Sequence, residues 1–274
     1  MLFRSIGNVH TIHAGCDGLN SRIRDLPRRD EKHDVPPDLD WDLWLGPAPW
    51  RPYNPMYLPG RWRAWMPFGS GTIGDWICHV VDPSFWAFDL GAPKTIEAEA
   101  VGYDPKEHAD TFPAAARIRF EFPGNDKRGP ITLYWYSGRW KQPAMPGLPL
   151  DKVPGTGALV LGDEGGIVHG SHGAGDVRMF PPKLMEAYKR PQETIPRVPR
   201  GNHHQDWLDA IRNGKPAGSN FDYGGPLTEL VRLGIIAMLM LGTRLEWDAD
   251  KARFPNCDEA NAYLNPPYRD GWSL

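Results

Sequence analysis

Three segments alternate apolar and polar side chains with a period of two, and together they dictate the architecture. They are residues 94–103 (KTIEAEAVGY), 115–122 (AARIRFEF) and 131–137 (ITLYWYS). In a strand, successive side chains point to opposite faces. Ile96, Ala98 and Ala100 therefore share a face with Ile118, Phe120 and Phe122, and with Ile131, Leu133 and Trp135. The opposite face carries Glu97, Glu99, Arg117, Arg119, Glu121, Tyr134 and Tyr136. One sheet face must be covered by helices, while the other suits water or a wet subunit contact.

The remaining periodicities supply that cover. Residues 6–14 read as a further strand, 158–168 as two short strands around a glycine turn, and 244–248 as a last short strand. Residues 72–88 start as a helix, with Thr72 as N-cap, Asp75 in the capping-box position and Pro83 breaking the helix near Asp82. Residues 183–189, 203–213, 226–241 (opened by Pro226) and 257–264 read as helices. Strands come in runs rather than in βαβ alternation. The fold class expected is α+β, an open, mainly antiparallel β-sheet with helices packed on one face.

Between these elements lies a long aromatic, proline-rich loop, residues 17–68. Loops of that length are usually functional or wrapped over something. The chain holds 12 Trp, 29 Pro and 30 Gly among its 274 residues. Loop-borne Trp suits stacking on a neutral, polar ligand such as a carbohydrate, or anchoring of the loop itself. A net charge of -3 offers no electrostatic case for nucleic acid or an anionic membrane. The longest apolar run, 233–241, is too short to cross a bilayer. Three widely spaced cysteines suggest neither a disulfide framework nor a CxxC metal site.

Chemistry concentrates on the helix from residue 72. Asp75, His79 and Asp82 stand at i, i+4 and i+7, on one helical face. A carboxylate one turn from an imidazole raises its pKa and fixes its tautomer, which suits general acid/base work on a hydroxyl. Asp75 is read alternatively as a cap, and Asp82 as a stabiliser of the turn at Pro83. Arg61, Trp62, Arg63 and Trp65 precede a glycine turn next to Asp75 and are candidates for substrate binding, with Asp82 beside them. No metal ligands are assigned. GSGTIG (69–74) has dinucleotide-loop spacing but follows no strand and lies in no βαβ unit, so it reads as a tight turn that aims the helix.

These motifs carry a resemblance. The run 39–57 (LDWDLWLGPAPWRPYNPMY), then 62–93 (WRAWMPFGSGTIGDWICHVVDPSFWAFDLGAP), then 219–250 and 258–272, resembles the Gfo/Idh/MocA family, in its bacterial branch with a distinctive C-terminal domain. The likeness runs from Ile6 to Leu274. It implies a substrate-binding and oligomerising domain at 6–274 of a two-domain NAD(P)-dependent oxidoreductase acting on a sugar, polyol or glycoside hydroxyl. It also implies that the N-terminal Rossmann domain is absent here. Asp75 and His79 match the Asp and His of the family's DxxxH helix. The family lysine has no counterpart, and no cofactor-binding residue carries over. NAD or NADP is expected in the full-length protein and none in this chain alone, which is then expected to be inactive. A homo-oligomer through the open sheet face is expected too. Residues 1–5 (MLFRS) read as a non-native leader. Two other readings stay open: a metal-assisted lyase or hydrolase acting on oxidised sugars, and a non-catalytic sugar-binding or oligomerisation module.

Overall fold

The structure, a computed structural model, describes residues 5–18, 20–190 and 192–273. Apart from Ser5, the leader reading falls outside the described residues. Eight strands form one sheet: β1 (Val9–Cys16), β2 (Thr95–Ala100), β3 (Ala115–Phe122), β4 (Ile131–Gly138), β5 (Gly157–Gly162), β6 (Gly165–Gly170), β7 (Arg178–Phe180) and β8 (Leu245–Glu246). Their order is β7-β6-β5-β1-β4-β3-β2-β8. Every pairing is antiparallel except β1 with β4, which is parallel. The sheet is therefore mixed and mostly antiparallel, as expected.

Seven α-helices accompany the sheet in the described residues: α1 (Trp41–Leu45), α2 (Gly71–Val80), α3 (Asp82–Phe88), α4 (Pro182–Ala187), α5 (His203–Asn213), α6 (Phe221–Leu239) and α7 (Asp258–Asn261). The alternation of β2, β3 and β4 has the predicted consequence. Ile96, Ala98, Ile118, Phe120, Phe122, Ile131, Leu133 and Trp135 are buried in the main core with Ile73 and Ile77 of α2 and Leu230, Leu233 and Ile236 of α6. Gly234 marks the closest approach: a Cβ there would sit 2.5 Å from Ile73 Cδ1 and 3.1 Å from the Phe120 ring. A larger residue would hold α6 away from α2 and the sheet.

The polar face is less uniform than its charges imply. Near β2, β3 and β4 it leaves Glu99 exposed and Arg117 and Tyr134 half-buried. Toward β5 and β6 it carries a second small core of Leu148, Leu159 and Phe180, with Met145 and Val153 folded over it. His13 of β1 lies between these regions, buried, stacked on Tyr134 at 5.1 Å and bonded through Nδ1 to the Tyr136 hydroxyl at 2.9 Å.

The break expected near Asp82 is there: α2 ends at Val80, and α3 starts at Asp82 with Pro83 in its first turn. Several local expectations change. Thr72 does not cap α2. The N-cap is Ser70, without a side-chain bond, and Thr72 Oγ1 instead donates to the Gly18 carbonyl at 3.1 Å. The strand expected over 94–103 stops at Ala100. The first strand starts three residues and ends two residues later than expected, and β7 was not foreseen. Helix α6 begins at Phe221, capped by Asn220, so Pro226 lies inside it. Pro226 has no N–H to offer the Asp222 carbonyl four residues back, and one turn on Thr228 Oγ1 donates to the Gly224 carbonyl at 2.8 Å.

The 17–68 segment is not a structureless loop. It builds its own core from Leu26, Trp41, Leu45, Tyr53, Met56, Tyr57 and Trp65. Trp41 Nε1 donates to the Arg51 carbonyl at 2.9 Å and Trp65 Nε1 to the Met56 carbonyl at 3.1 Å. The C-terminal tail closes over it: the Arg269 guanidinium is 2.5 Å from Asp42 and 3.0 Å from the Gly46 carbonyl.

Candidate functional site

Helix α2 presents the candidate residues because its entry is tightly constrained. Gly71 has a left-handed φ of +61°, and a Cβ there would meet the Phe112 ring at 2.7 Å. A Cβ on Gly69 would meet the Arg63 carbonyl oxygen at 2.5 Å. The glycines of 69–74 thus let the preceding turn and Phe112 close on the helix start. The segment before them is a short 3-10 turn, Trp62–Ala64, rather than a strand. Among the described residues these glycines are committed to packing and form no strand-loop-helix phosphate cradle. They do not fit a dinucleotide.

From this start, α2 carries Asp75 and His79 outward on successive turns. Asp75 Oδ2 accepts from Asn20 Nδ2 at 3.1 Å and faces Arg63 Nε at 3.2 Å. The Arg63 guanidinium in turn lies 5.4 Å from the Trp62 ring centroid. The expected sharing of a proton between Asp75 and His79 is not the geometry found: among the described residues no hydrogen bond joins them. Asp75 is oriented by Asn20 and Arg63 instead. The His79 ring is exposed and packs beside His172 at 4.6 Å and Trp76 at 5.6 Å.

The other predicted residues scatter. Asp82 is the first residue of α3, and the Tyr223 hydroxyl donates to its carboxylate. Burial first, and then that bond to Asp82, raises the Tyr223 phenol above its ordinary range. Trp65 is fully buried in the loop core, with its indole N–H bonded to backbone, so no ligand reaches its ring. Arg61 is exposed and lines a small cavity beside Arg22 and Asn54. Trp62 lines an aromatic cleft of about 400 Å³ with Trp44 and Phe68. Of the predicted set, Asp75, His79, Arg63 and Trp62 are linked through direct contacts or one helical turn.

Sequence reasoning missed Asn20, His172 and Tyr223. Asn20 lies in an irregular segment with no periodicity to orient it. His172 follows β6 in a glycine-rich run, and no local pattern shows that the run folds back onto α2. Tyr223 was hidden by reading Pro226 as the helix start. On the opposite sheet face, His13, Tyr134, Tyr136, Glu97, Glu99, Arg117 and Arg119 line a concavity of about 540 Å³. Burial there, with Arg117 adding to it, lowers the His13 pKa to about 4, and burial raises Tyr136 to about 12. Among the described residues no group of three or more His, Cys, Asp or Glu side chains is arranged to hold a metal ion, and no helix is long and apolar enough to cross a membrane.

The described residues thus form a mostly antiparallel sheet with helices on one face, with an Asp and a His on the helix behind a glycine turn. Residues 24–127 match the Gfo/Idh/MocA family model described as "Oxidoreductase family, C-terminal alpha/beta domain". The matched segment contains Asp75 and His79. No curated protein matches the chain. Among solved structures, the chain is similar to an aldose-aldose oxidoreductase from Caulobacter crescentus complexed with glycerol, at 10% identity and TM-score 0.46, covering 88% of this chain and 56% of that one. It is also similar to an inositol dehydrogenase homolog from Azotobacter vinelandii complexed with NADH and myo-inositol, at 12% identity and TM-score 0.42, covering 88% and 58%. The chain thus spans less than two thirds of the length of either structure.

Proposed function

We propose that this chain is the substrate domain of an NAD(P)-dependent oxidoreductase that oxidises a hydroxyl of a sugar, polyol or glycoside. The observation that carries the reading is the family match across the segment holding Asp75 and His79. That match is to a domain described as C-terminal, which implies a dinucleotide-binding partner domain. The glycine turn at 69–74 does not fit a dinucleotide, so in this reading the nicotinamide and the family lysine belong to that partner domain.

The described residues supply the proton side of the reaction. The exposed His79 imidazole accepts the proton of the substrate hydroxyl as the carbon is oxidised, a role typically worth 10²–10⁴ in rate. Asp75, held by Asn20 and Arg63, orients the hydroxyl and stabilises the imidazolium one turn away. Trp62 offers an apolar ring face beside Arg63 for the body of the sugar. The polar sheet face, with Glu97 and Glu99 against Arg117 and Arg119, provides the self-complementary charge of a homo-oligomer contact.

The deciding experiment joins this domain to a dinucleotide-binding domain of the same family and follows NAD(P) reduction across a panel of sugars and cyclitols. Expected are activity in the joined protein, a loss of about 100-fold or more in kcat for His79→Ala, and no turnover by the isolated chain. Full activity in His79→Ala, or turnover by the isolated chain, would overturn the reading.

A further inference from the structure

We propose that His172 joins His79 in a paired-imidazole clamp for two neighbouring hydroxyls of the sugar or polyol. The inference rests on the substrate-domain reading above and adds a binding residue to it.

Two independent features bring His172 to α2. The first is a direct tie: the His172 backbone N–H donates to the His79 carbonyl at 3.1 Å. This carbonyl lies in the last turn of α2, where backbone acceptors lack a helical partner. The rings then lie 4.6 Å apart and 32° from parallel, and the Trp76 indole meets both edge-on, at 5.6 Å from His79 and 5.4 Å from His172. The second is backbone conformation. His172, Ala174 and Asp176 all have left-handed φ, at 54°, 57° and 54°. Such residues are costly outside glycine and persist only where the surroundings fix them. The loop after β6 is thus held in an unfavourable form that keeps His172 against His79.

The hydrogen-bonding pattern says what the pair can do. Ser171 Oγ bonds His172 Nδ1 at 2.8 Å, which fixes that ring and leaves Nε2 without a partner among the described residues. The His79 ring nitrogens have no hydrogen-bond partner among the described residues either. Both side chains are exposed. Two imidazoles with centroids 4.6 Å apart and free nitrogens can each bond one of two adjacent hydroxyls, and each neutral ring can donate or accept. An alcohol with a single hydroxyl satisfies only one of them.

The test uses the isolated chain, with D-glucose, D-galactose and myo-inositol as polyol probes and cyclohexanol as the single-hydroxyl probe, titrated by NMR at pH 7.5. His172→Gly removes the ring while easing the left-handed backbone, so the fold is retained. His172→Asn tolerates the same φ and restores a hydrogen-bonding group. Expected is binding of at least one polyol in preference to cyclohexanol. His172→Gly should weaken that polyol about tenfold and abolish the preference, and His172→Asn should recover part of it. Polyol binding that falls in His79→Ala but is unchanged in His172→Gly overturns the clamp and leaves the substrate-domain reading standing. If the wild-type chain binds none of the three polyols, the clamp falls together with the sugar reading.

Discussion

The Arg63 guanidinium stands 3.2 Å from the Asp75 carboxylate, and the same carboxylate oxygen accepts a hydrogen bond from Asn20 at 3.1 Å. Asp75 is therefore aimed by two side chains from outside its own helix. Arg63→Ala leaves it to rotate. In the joined oxidoreductase, Arg63→Ala should lower kcat about tenfold while substrate affinity moves less. The pair is partly exposed, so chemical denaturation should show a stability change of under about 1 kcal/mol. A variant with unchanged kcat would remove Arg63 from the site.

Asp82 is held by Tyr223. The hydroxyl of Tyr223 reaches the Asp82 carboxylate from the first turn of α6 and fastens that turn to the start of α3. Tyr223→Phe leaves a half-buried carboxylate short of one donor. The expected cost is about 1–2 kcal/mol in urea denaturation, with polyol binding by the isolated chain unaffected. A loss of binding without a loss of stability would return Asp82 to the substrate site.

Gly71→Ala tests how far the entry to α2 tolerates a side chain. The left-handed φ and the Phe112 ring at 2.7 Å both oppose a Cβ. Together they should cost about 2–4 kcal/mol, read as a fall in the thermal midpoint. Because α2 carries Asp75 and His79, polyol affinity should fall with it. A variant as stable as the wild type would show that Phe112 repacks freely.

His13 gives the fold a pH dependence. Burial, with Arg117 adding to it, holds its folded pKa at about 4, against an ordinary value of 6.5. Between these values the unfolded chain binds more protons than the folded one, so stability falls as pH drops from 6.5 toward 4. The loss from this residue approaches about 3 kcal/mol below pH 4. His169, also buried and shifted down, acts in the same direction. Urea denaturation from pH 7 to pH 4 should show a shallower decline in His13→Gln than in the wild type. Equal slopes would mean that His13 titrates normally.

The sheet was readable because β2, β3 and β4 alternate without interruption, and burial of Ile96, Phe120 and Leu133 follows from period alone. The pairing of β1 was not readable, because no local pattern tells a strand which distant neighbours it will find. The site divides in the same way. Asp75 and His79 sit four residues apart on one helix, a spacing visible in the chain. Arg63 lay close enough in sequence to be suspected. His172 and Asn20 come from segments that reach α2 only through tertiary structure. Trp65 misled because an aromatic residue near a site reads the same whether it packs inward or outward. The indole bond to Met56 decided the matter.

The central place of β1 governs how this domain can assemble. It precedes every other strand of the described sheet, yet its two neighbours, β4 and β5, begin at residues 131 and 157. No neighbouring strand exists for it until more than a hundred further residues have left the ribosome. High contact order of this kind slows folding. The aromatic core of residues 26–65 has no such dependence on distant strands and can collapse early. Newly made chains should therefore pass through a stage in which the loop is folded and the first strand is still waiting, with Ile12 and Ala14 open to chaperones.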